Sequence, residues 1–325
     1  MSQTINKVAT ALKGMGMGIA EVIPGVSGGT IAFITGIYET LLNTIKSFGP
    51  SLFTAFKEGG ISGAWKHVNG NFLLSLMVGM VIGIVVGVLG VTYLLEHYPI
   101  MLWAFFFGLI IASSIYVGKQ VKSWNPITIL LLIAGAILAY YITIATPSQG
   151  SENLGFIFFS GMIAISALML PGLSGSFILL LLGMYKFILS DTLKVGVFKN
   201  QDPEAIVIMG VFGLGCLVGL MTFSRVLSWT FKHYRNPTLA LLTGFMIGSL
   251  NKVWPWQHVL ATRIKSDGEE VIQFSQSVLP STFSNLQNNF LYGNEPYLIG
   301  AIICMVIGFG SVFLLEKFGN QEETT

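Results

Sequence analysis

"AEVIPGVSGGTIAFITGIYE", residues 20–39, is an unusual stretch to meet inside an apolar chain. An acid, Glu21, is followed closely by Pro24, Gly25, Ser27, Gly28, Gly29 and Thr30, after which the chain turns apolar again. Such a stretch is either a loop outside a membrane or an interrupted helix within one. The surrounding sequence separates the two.

Of 325 residues, 53% are hydrophobic and 10% charged, against roughly 25% charged residues in a soluble domain. Uncharged runs recur at Phe72–Leu95, Ile100–Val117, Pro126–Thr146, Ala205–Ser224, Pro237–Leu250 and Tyr297–Leu315. Most approach or exceed the ~18 residues of a membrane-spanning helix; Pro237–Leu250 is short and needs Asn251–Trp256 to reach across. The chain reads as an all-α polytopic membrane protein. Its net charge of +2 is spread without a basic block, so nucleic acid is not an expected partner. The sequence has no phosphate loop of the GxxxxGK[ST] type, no HExxH and no Cys/His cluster, so neither a cofactor, a metal nor an enzymatic centre is expected.

The stretch around Pro24 has a second copy. "SALMLPGLSGSFILLLLGMYK" spans residues 166–186, and aligning Pro24 with Pro171 gives an offset of 147. Gly14, Ala20, Gly25, Ser27, Gly28, Gly36 and Tyr38 then meet Gly161, Ala167, Gly172, Ser174, Gly175, Gly183 and Tyr185. After a shorter connection the likeness resumes at an offset of 136, where Gly79, Gly83, His97 and Tyr98 face Gly215, Gly219, His233 and Tyr234. Apolar residues match cheaply, but Pro-Gly-x-Ser-Gly and His-Tyr repeated in order point to duplication.

Each half therefore reads as one broken apolar segment followed by three spans. After a lead-in at 1–13, the first repeat covers 14–146 with its broken segment at 14–45. The second covers 147–317, with its broken segment at 154–190 and an external segment at 251–296, before a tail at 318–325. Pro-Gly-x-Ser-Gly suits a reversal of direction, so each broken segment is expected to enter and leave on one side as a re-entrant helical hairpin. Three crossings per half is an odd number, which makes the two repeats inverted. With both termini cytoplasmic, most Lys and Arg of the short loops fall on that side. A topology in which both broken segments cross fully satisfies the charge rule about as well.

A break at membrane depth survives only where protein or a watery cavity covers it. The helix that begins at the break points free N–H groups, with about half a positive charge, toward the interior. Gly25, Ser27, Gly28, Gly29 and Thr30 in one half, with Gly172, Ser174, Gly175 and Ser176 in the other, are the expected anion-binding residues, and phosphate is a natural fit. A side chain at Gly28 or Gly175 is expected to block its approach. The alternative is that both motifs are compact turns without a ligand. Glu21 has Leu168 as its repeat partner, so symmetry does not explain it; a carboxylate at membrane depth is costly and is the candidate for coupling a proton. Arg225, opposite Leu89 in the repeat, can grip phosphate bidentately or reach to the interface, and it can pair with Glu21 when the site is empty. The many glycines of the spans offer smooth faces for close packing or sliding.

"AEVIPGVSGGTIAFITGIYE" followed by "LPGLSGSF" resembles the bacterial polyprenyl-phosphate transporter family, and the likeness runs from about Gly14 to the last span. The resemblance implies a flippase that returns undecaprenyl phosphate, the lipid carrier of cell-wall sugars, across the bacterial cytoplasmic membrane, with H+ or Na+ as a possible coupling ion. A small-anion channel or exchanger built on the same helix N-termini is the alternative.

Overall fold

The computed structural model describes residues 6–23, 26–264, 270–286 and 295–320. Pro24 and Gly25 of the first motif lie outside these residues, as do parts of the external segment and the end of the tail. The chain is a multi-pass membrane protein built mostly of helix.

The first broken segment forms α1 (Lys7–Glu21), α2 (Gly28–Ile34) and α3 (Tyr38–Lys46). Helix α1 begins inside the expected lead-in, where the Asn6 side chain caps it by accepting from Ala9 N–H. Next, α4 (Pro50–His67) is two short helices folded on each other at Gly60 (φ 59°), with Ser51 Oγ 3.1 Å from His67 Nε2. The long apolar helices α5 (Gly70–His97), α6 (Pro99–Lys119) and α7 (Pro126–Ile144) complete this half.

The second half repeats the order. Its broken segment gives α8 (Leu154–Met169) and α9 (Gly175–Leu181), then a π-helix at Phe187–Asn200. Helices α10 (Pro203–His233) and α11 (Arg235–Ser249) follow, and α13 (Leu298–Asn320) ends the fold. Among the described residues, α5, α6, α7, α10 and α13 have the length and apolar character to cross a membrane. Helix α11 does not. Its 15 residues span about 22 Å at 1.5 Å per residue, and the chain turns at 250–253 instead of extending the helix. Pro255 disfavours helical backbone at Trp254, and both tryptophans are tied elsewhere: Trp254 Nε1 donates to Val278 O and Trp256 Nε1 to Pro296 O, each at 2.8 Å.

The fold also departs from all-α between these points. β1 (Gln257–Ile264) and β2 (Glu270–Ser277) pair antiparallel, and the short α12 (Pro280–Phe283) follows. Within β2 polar and apolar residues alternate only over "IQFS", residues 272–275, a short run at the period of a strand.

Four helix crossings, each lined by glycine, hold the bundle: α1 on α5, α8 on α10, α6 on α13 and α7 on α11. A Cβ on Gly79 or Gly83 would fall 1.9 or 2.1 Å from the carbonyl oxygens of Ala11 and Met15, so no larger residue fits. At the other crossing, Gly215 and Gly219 lie against Phe158 O and Met162 O. These are the same contacts displaced by the sequence offsets, since Ala11 and Met15 become Phe158 and Met162. Gly14 on Leu76 O is matched likewise by Gly161 on Phe212 O. The remaining two crossings are also related across the halves: Gly108 meets Met305 O and Gly308 meets Phe105 O, while Gly244 meets Leu132 O and Gly135 meets Leu241 O, with α6 and α11 matched at the offset of 136 and α7 and α13 at a third offset, 308 − 135 = 173. Close backbone approach of this kind drives helix association where lipid removes the hydrophobic advantage. Gly90, Gly210 and Gly213 have open space around them and take no part.

Candidate functional site

The two broken segments touch. Ser27 Oγ donates to Leu168 O at 3.0 Å, Thr30 Oγ1 accepts from Gly172 N–H at 3.2 Å, and Tyr38 OH donates to Met169 O at 2.8 Å. Ser27, Thr30 and Tyr38 are all buried. Tyr38 also packs on Phe33, ring centroids 4.5 Å apart, with Phe231 of α10 against both. The end of α8 is thus bonded to the start of α2 and to Tyr38: side chains of the first segment answer backbone groups freed by the second break, while the amides of the first break are met within its own segment.

Each break is capped by its serine. Ser27 Oγ accepts from Gly29 N–H at 3.0 Å, and Ser174 Oγ from Phe177 N–H at 3.4 Å. A serine that leaves the chain extended and accepts an early amide is a strong helix start. Just beyond its last turn, each short helix meets a glycine of positive φ, Gly36 at 74° and Gly183 at 70°.

Glu21 occupies the helix terminus that the sequence offers to an external anion. Its Oε1 accepts from Gly28 N–H at 2.7 Å. With Gly29 bonded to Ser27 Oγ and Thr30 N–H to Ser27 O, the first three amides of α2 are all satisfied. At the second break Leu168, near the end of α8, stands in the place of Glu21, and no acceptor meets Gly175 N–H or Ser176 N–H among the described residues. Ser176 is exposed, and its hydroxyl lies 2.9 Å from that of Ser174.

Gly28 and Gly175 are needed by their own hairpins. A Cβ on Gly28 would lie 2.6 Å from Glu21 Oε1 and 3.2 Å from Met17 O; one on Gly175 would lie 2.5 Å from Ala164 O. A Cβ on Gly29 would meet Met169 O at 3.1 Å, and Gly172, at φ 84°, backs onto Phe245 and Met246 of α11. Bulk at these positions disturbs the hairpins directly, before any ligand is considered.

Arg225 stands apart from this cluster. Its Nη1 donates to Met221 O at 2.6 Å and its Nη2 to Phe48 O at 3.1 Å. Glu21 and Arg225 therefore do not pair; each holds backbone in a different place. Arg225, with the Lys46–Ser228–Asn43 chain of hydrogen bonds, fastens the exit of the first broken segment to α10. An exposed ion pair, Arg235 to Glu39 at 2.6 Å, joins α11 to the start of α3. Sequence reasoning did not reach the Tyr38–Met169 bond, although Tyr38 and Tyr185 were visible as a matched pair.

The profile of the VCA0040-like family, described as undecaprenyl phosphate translocase-like, matches residues 17–271, a span that takes in most of the first broken segment, all of the second and their contact. The chain belongs to this family. It is 41% identical to a polyprenyl-phosphate transporter of Vibrio cholerae serotype O1 over 319 residues, covering 98% of this chain and 99% of that one. It is 31% identical to a polyprenyl-phosphate transporter of Staphylococcus aureus over 260 residues, 75% of this chain and 85% of that one. No solved structure matches it.

Proposed function

We propose that this protein moves undecaprenyl phosphate, or a related polyprenyl phosphate, across the bacterial cytoplasmic membrane and so returns a carrier lipid for cell-envelope synthesis. The observation that carries the reading is the direct contact of the two broken segments, with Glu21 bonded to Gly28 N–H where they meet. The names of its relatives supply the substrate class. In this reading the two halves are inverted repeats with both termini cytoplasmic, the broken segments are re-entrant hairpins from opposite faces, and their junction lies near the midplane. The matched glycine crossings and matched positive-φ glycines support it, because they repeat at the sequence offsets.

The phosphate binds beside Ser27, Gly28, Gly29 and Thr30 from one half and Gly172, Ser174, Gly175 and Ser176 from the other. Gly25 keeps its assignment from the motif alone. The carboxylate of Glu21 is the obstacle as well as the coupling device. An ionised Glu21 holds Gly28 N–H through a charge-assisted bond and repels an arriving phosphate. A proton on Glu21 removes the repulsion and weakens the bond, so proton and phosphate enter together. Arg225 reaches the head group only after letting go of Phe48, so its first role is to hold α3 on α10. The prenyl tail stays in lipid.

Reconstitution tests this. Proteoliposomes carrying a labelled C55 lipid phosphate should show protein-dependent movement between leaflets. Rapid flux of inorganic phosphate without lipid movement would replace the reading with an anion channel. Cysteines placed at Lys46 and Lys194 should react from opposite faces; reaction from one face would end the inverted arrangement.

A further inference from the structure

Lys252 lies in the turn after α11, where almost every other polar group is paired. Gln257 Nε2 donates to Lys252 O at 2.9 Å and to Trp254 O at 3.2 Å, Ser275 Oγ donates to Gln257 Oε1, and Asn251 Nδ2 donates to Thr143 Oγ1 at 2.7 Å. Trp254 is bonded to Val278 O, and Ser277 Oγ donates to Asn251 O at 3.0 Å. The β-hairpin thereby clamps the turn. Among the described residues the Lys252 ammonium has no such partner: its contact is with the Phe177 ring of α9, Nζ 4.5 Å from the centroid. Among the described residues no carboxylate pairs with it.

An ammonium carries three donors, and an aromatic face supplies none of the acceptors they need, only about 0.5–2 kcal/mol of attraction. The notch that holds it is walled by Thr143, Pro147, Phe177, Leu181 and Ser275. Withdrawing a cation from water without an anion beside it is unfavourable, and packing alone would be served better by methionine. What distinguishes the place is its neighbour: Phe177 follows Ser176, the exposed serine of the second break, whose half lacks any counterpart of Glu21.

We infer that Lys252 is a phosphate-binding residue, meeting the head group of a lipid phosphate at the mouth of the second broken segment. The inference rests on the reading that the substrate is a polyprenyl phosphate, and it adds a cation that the duplicated motif does not contain. The notch, about 10 Å³, has room for a water but not for a phosphate. Lys252 therefore engages by lifting off Phe177, which its flexible four-carbon stem permits. Ring and phosphate are alternative resting places for one charge.

The test uses the full chain in nanodiscs, titrated with undecaprenyl phosphate, with phosphatidylglycerol and with inorganic phosphate. Lys252→Met should weaken binding of undecaprenyl phosphate about tenfold or more, and Lys252→Arg should stay within about threefold of the wild type. Ligand-free melting of Lys252→Met should be unchanged or higher, because no ion pair is lost, while its melting shift with lipid phosphate shrinks. Equal binding by a well-folded Lys252→Met overturns the inference and leaves the proposed function intact. So does a fall in ligand-free melting temperature that Lys252→Arg restores while lipid-phosphate binding is unchanged, which makes the cation on Phe177 a structural contact. Phosphatidylglycerol competing as well as undecaprenyl phosphate also overturns it. If the wild type binds inorganic phosphate through Lys252 but neither binds nor moves the lipid, the anion site stands and the lipid-transport reading fails.

Discussion

The turn leading into α2 is closed by an internal anion: Glu21 takes Gly28 N–H, and Ser27 takes Gly29 N–H and reaches across to Leu168 O. The turn leading into α9 has the same serine cap and the same positive-φ glycine beyond the helix end. It has leucine in place of the glutamate, an exposed Ser176, and, on the ring of the next residue, a lysine with no carboxylate partner among the described residues. Two copies of one backbone have thus been given opposite electrostatics. The repeated parts are those that fix geometry: glycine crossings, serine caps and positive-φ glycines. The charges at the two breaks sit only at positions where the copies differ. In the inverted arrangement proposed above, the shared geometry exchanges the two faces, and the unlike charges let those faces treat a phosphate differently.

The largest effects should fall on the shared geometry. Gly79→Val and Gly215→Val each place a Cβ about 2 Å from a backbone carbonyl oxygen of the facing helix, and overpacking of this kind costs at least about 1–3 kcal/mol. Both variants should lose most folded protein, measured as monodisperse yield and melting temperature in detergent, and to a similar degree. If Gly79→Val collapses while Gly215→Val behaves as wild type, the crossings are not equivalent. Gly210→Val, with open space around it, is the control.

Substitution at the unlike position comes next. Wild-type transport should rise as pH falls on the side from which the lipid is taken, because a protonated Glu21 releases Gly28. Glu21→Gln keeps an oxygen that can accept from Gly28 N–H, so the hairpin should fold and bind lipid phosphate while the pH dependence disappears. Wild-type rates with an unchanged pH profile would make Glu21 a cap and place the driving force elsewhere. Arg225 gives a smaller effect of a different kind. Arg225→Ala leaves Phe48 O without its donor, and a hydrogen bond to a charged group contributes about 1.5–3 kcal/mol. Arg225→Lys keeps one donor and should recover part of the lost melting temperature. If both variants melt like wild type, the clasp on α3 is not structural.

Five of the six long apolar runs and the interruptions that follow α1 and α8 were legible because each rests on local rules: apolar run length, a proline that breaks a helix, and glycine where backbones touch. The partners of the charged residues were not. Glu21 finds Gly28 only because α2 folds back onto α1, and Arg225 finds a carbonyl 177 residues away. A charge in a sequence states what it can bind, whereas which acceptor lies within reach is set by tertiary packing. The same holds for Gly28 and Gly175, whose close neighbours are their own hairpins. The turn after Ser249 follows from Pro255 and two tryptophans with distant acceptors, of which only the proline is a local signal.

The smallest difference is between the two serines, and it probes the comparison most finely. Ser27 Oγ has two partners, accepting from Gly29 N–H and donating to Leu168 O in the other half, and it is 1% exposed. Ser27→Ala strands a buried amide and a half-buried carbonyl together, so the cost should lie within the roughly 1–3 kcal/mol expected for unsatisfied buried groups. Ser174 Oγ makes a long bond to Phe177 N–H and a contact with Ser176, whose hydroxyl is exposed and can turn to water. Ser174→Ala should therefore cost no more than an ordinary hydrogen bond, about 0.5–1.5 kcal/mol. Melting of the two variants in the same nanodiscs, without lipid phosphate, measures the gap. Ser27→Ala should be the lower by a clear margin, and the double variant should lose about the sum, because the two hydroxyls share no partner. Equal losses would mean that the two breaks are sealed alike, and the asymmetry assigned to them would rest on Glu21 and Lys252 alone.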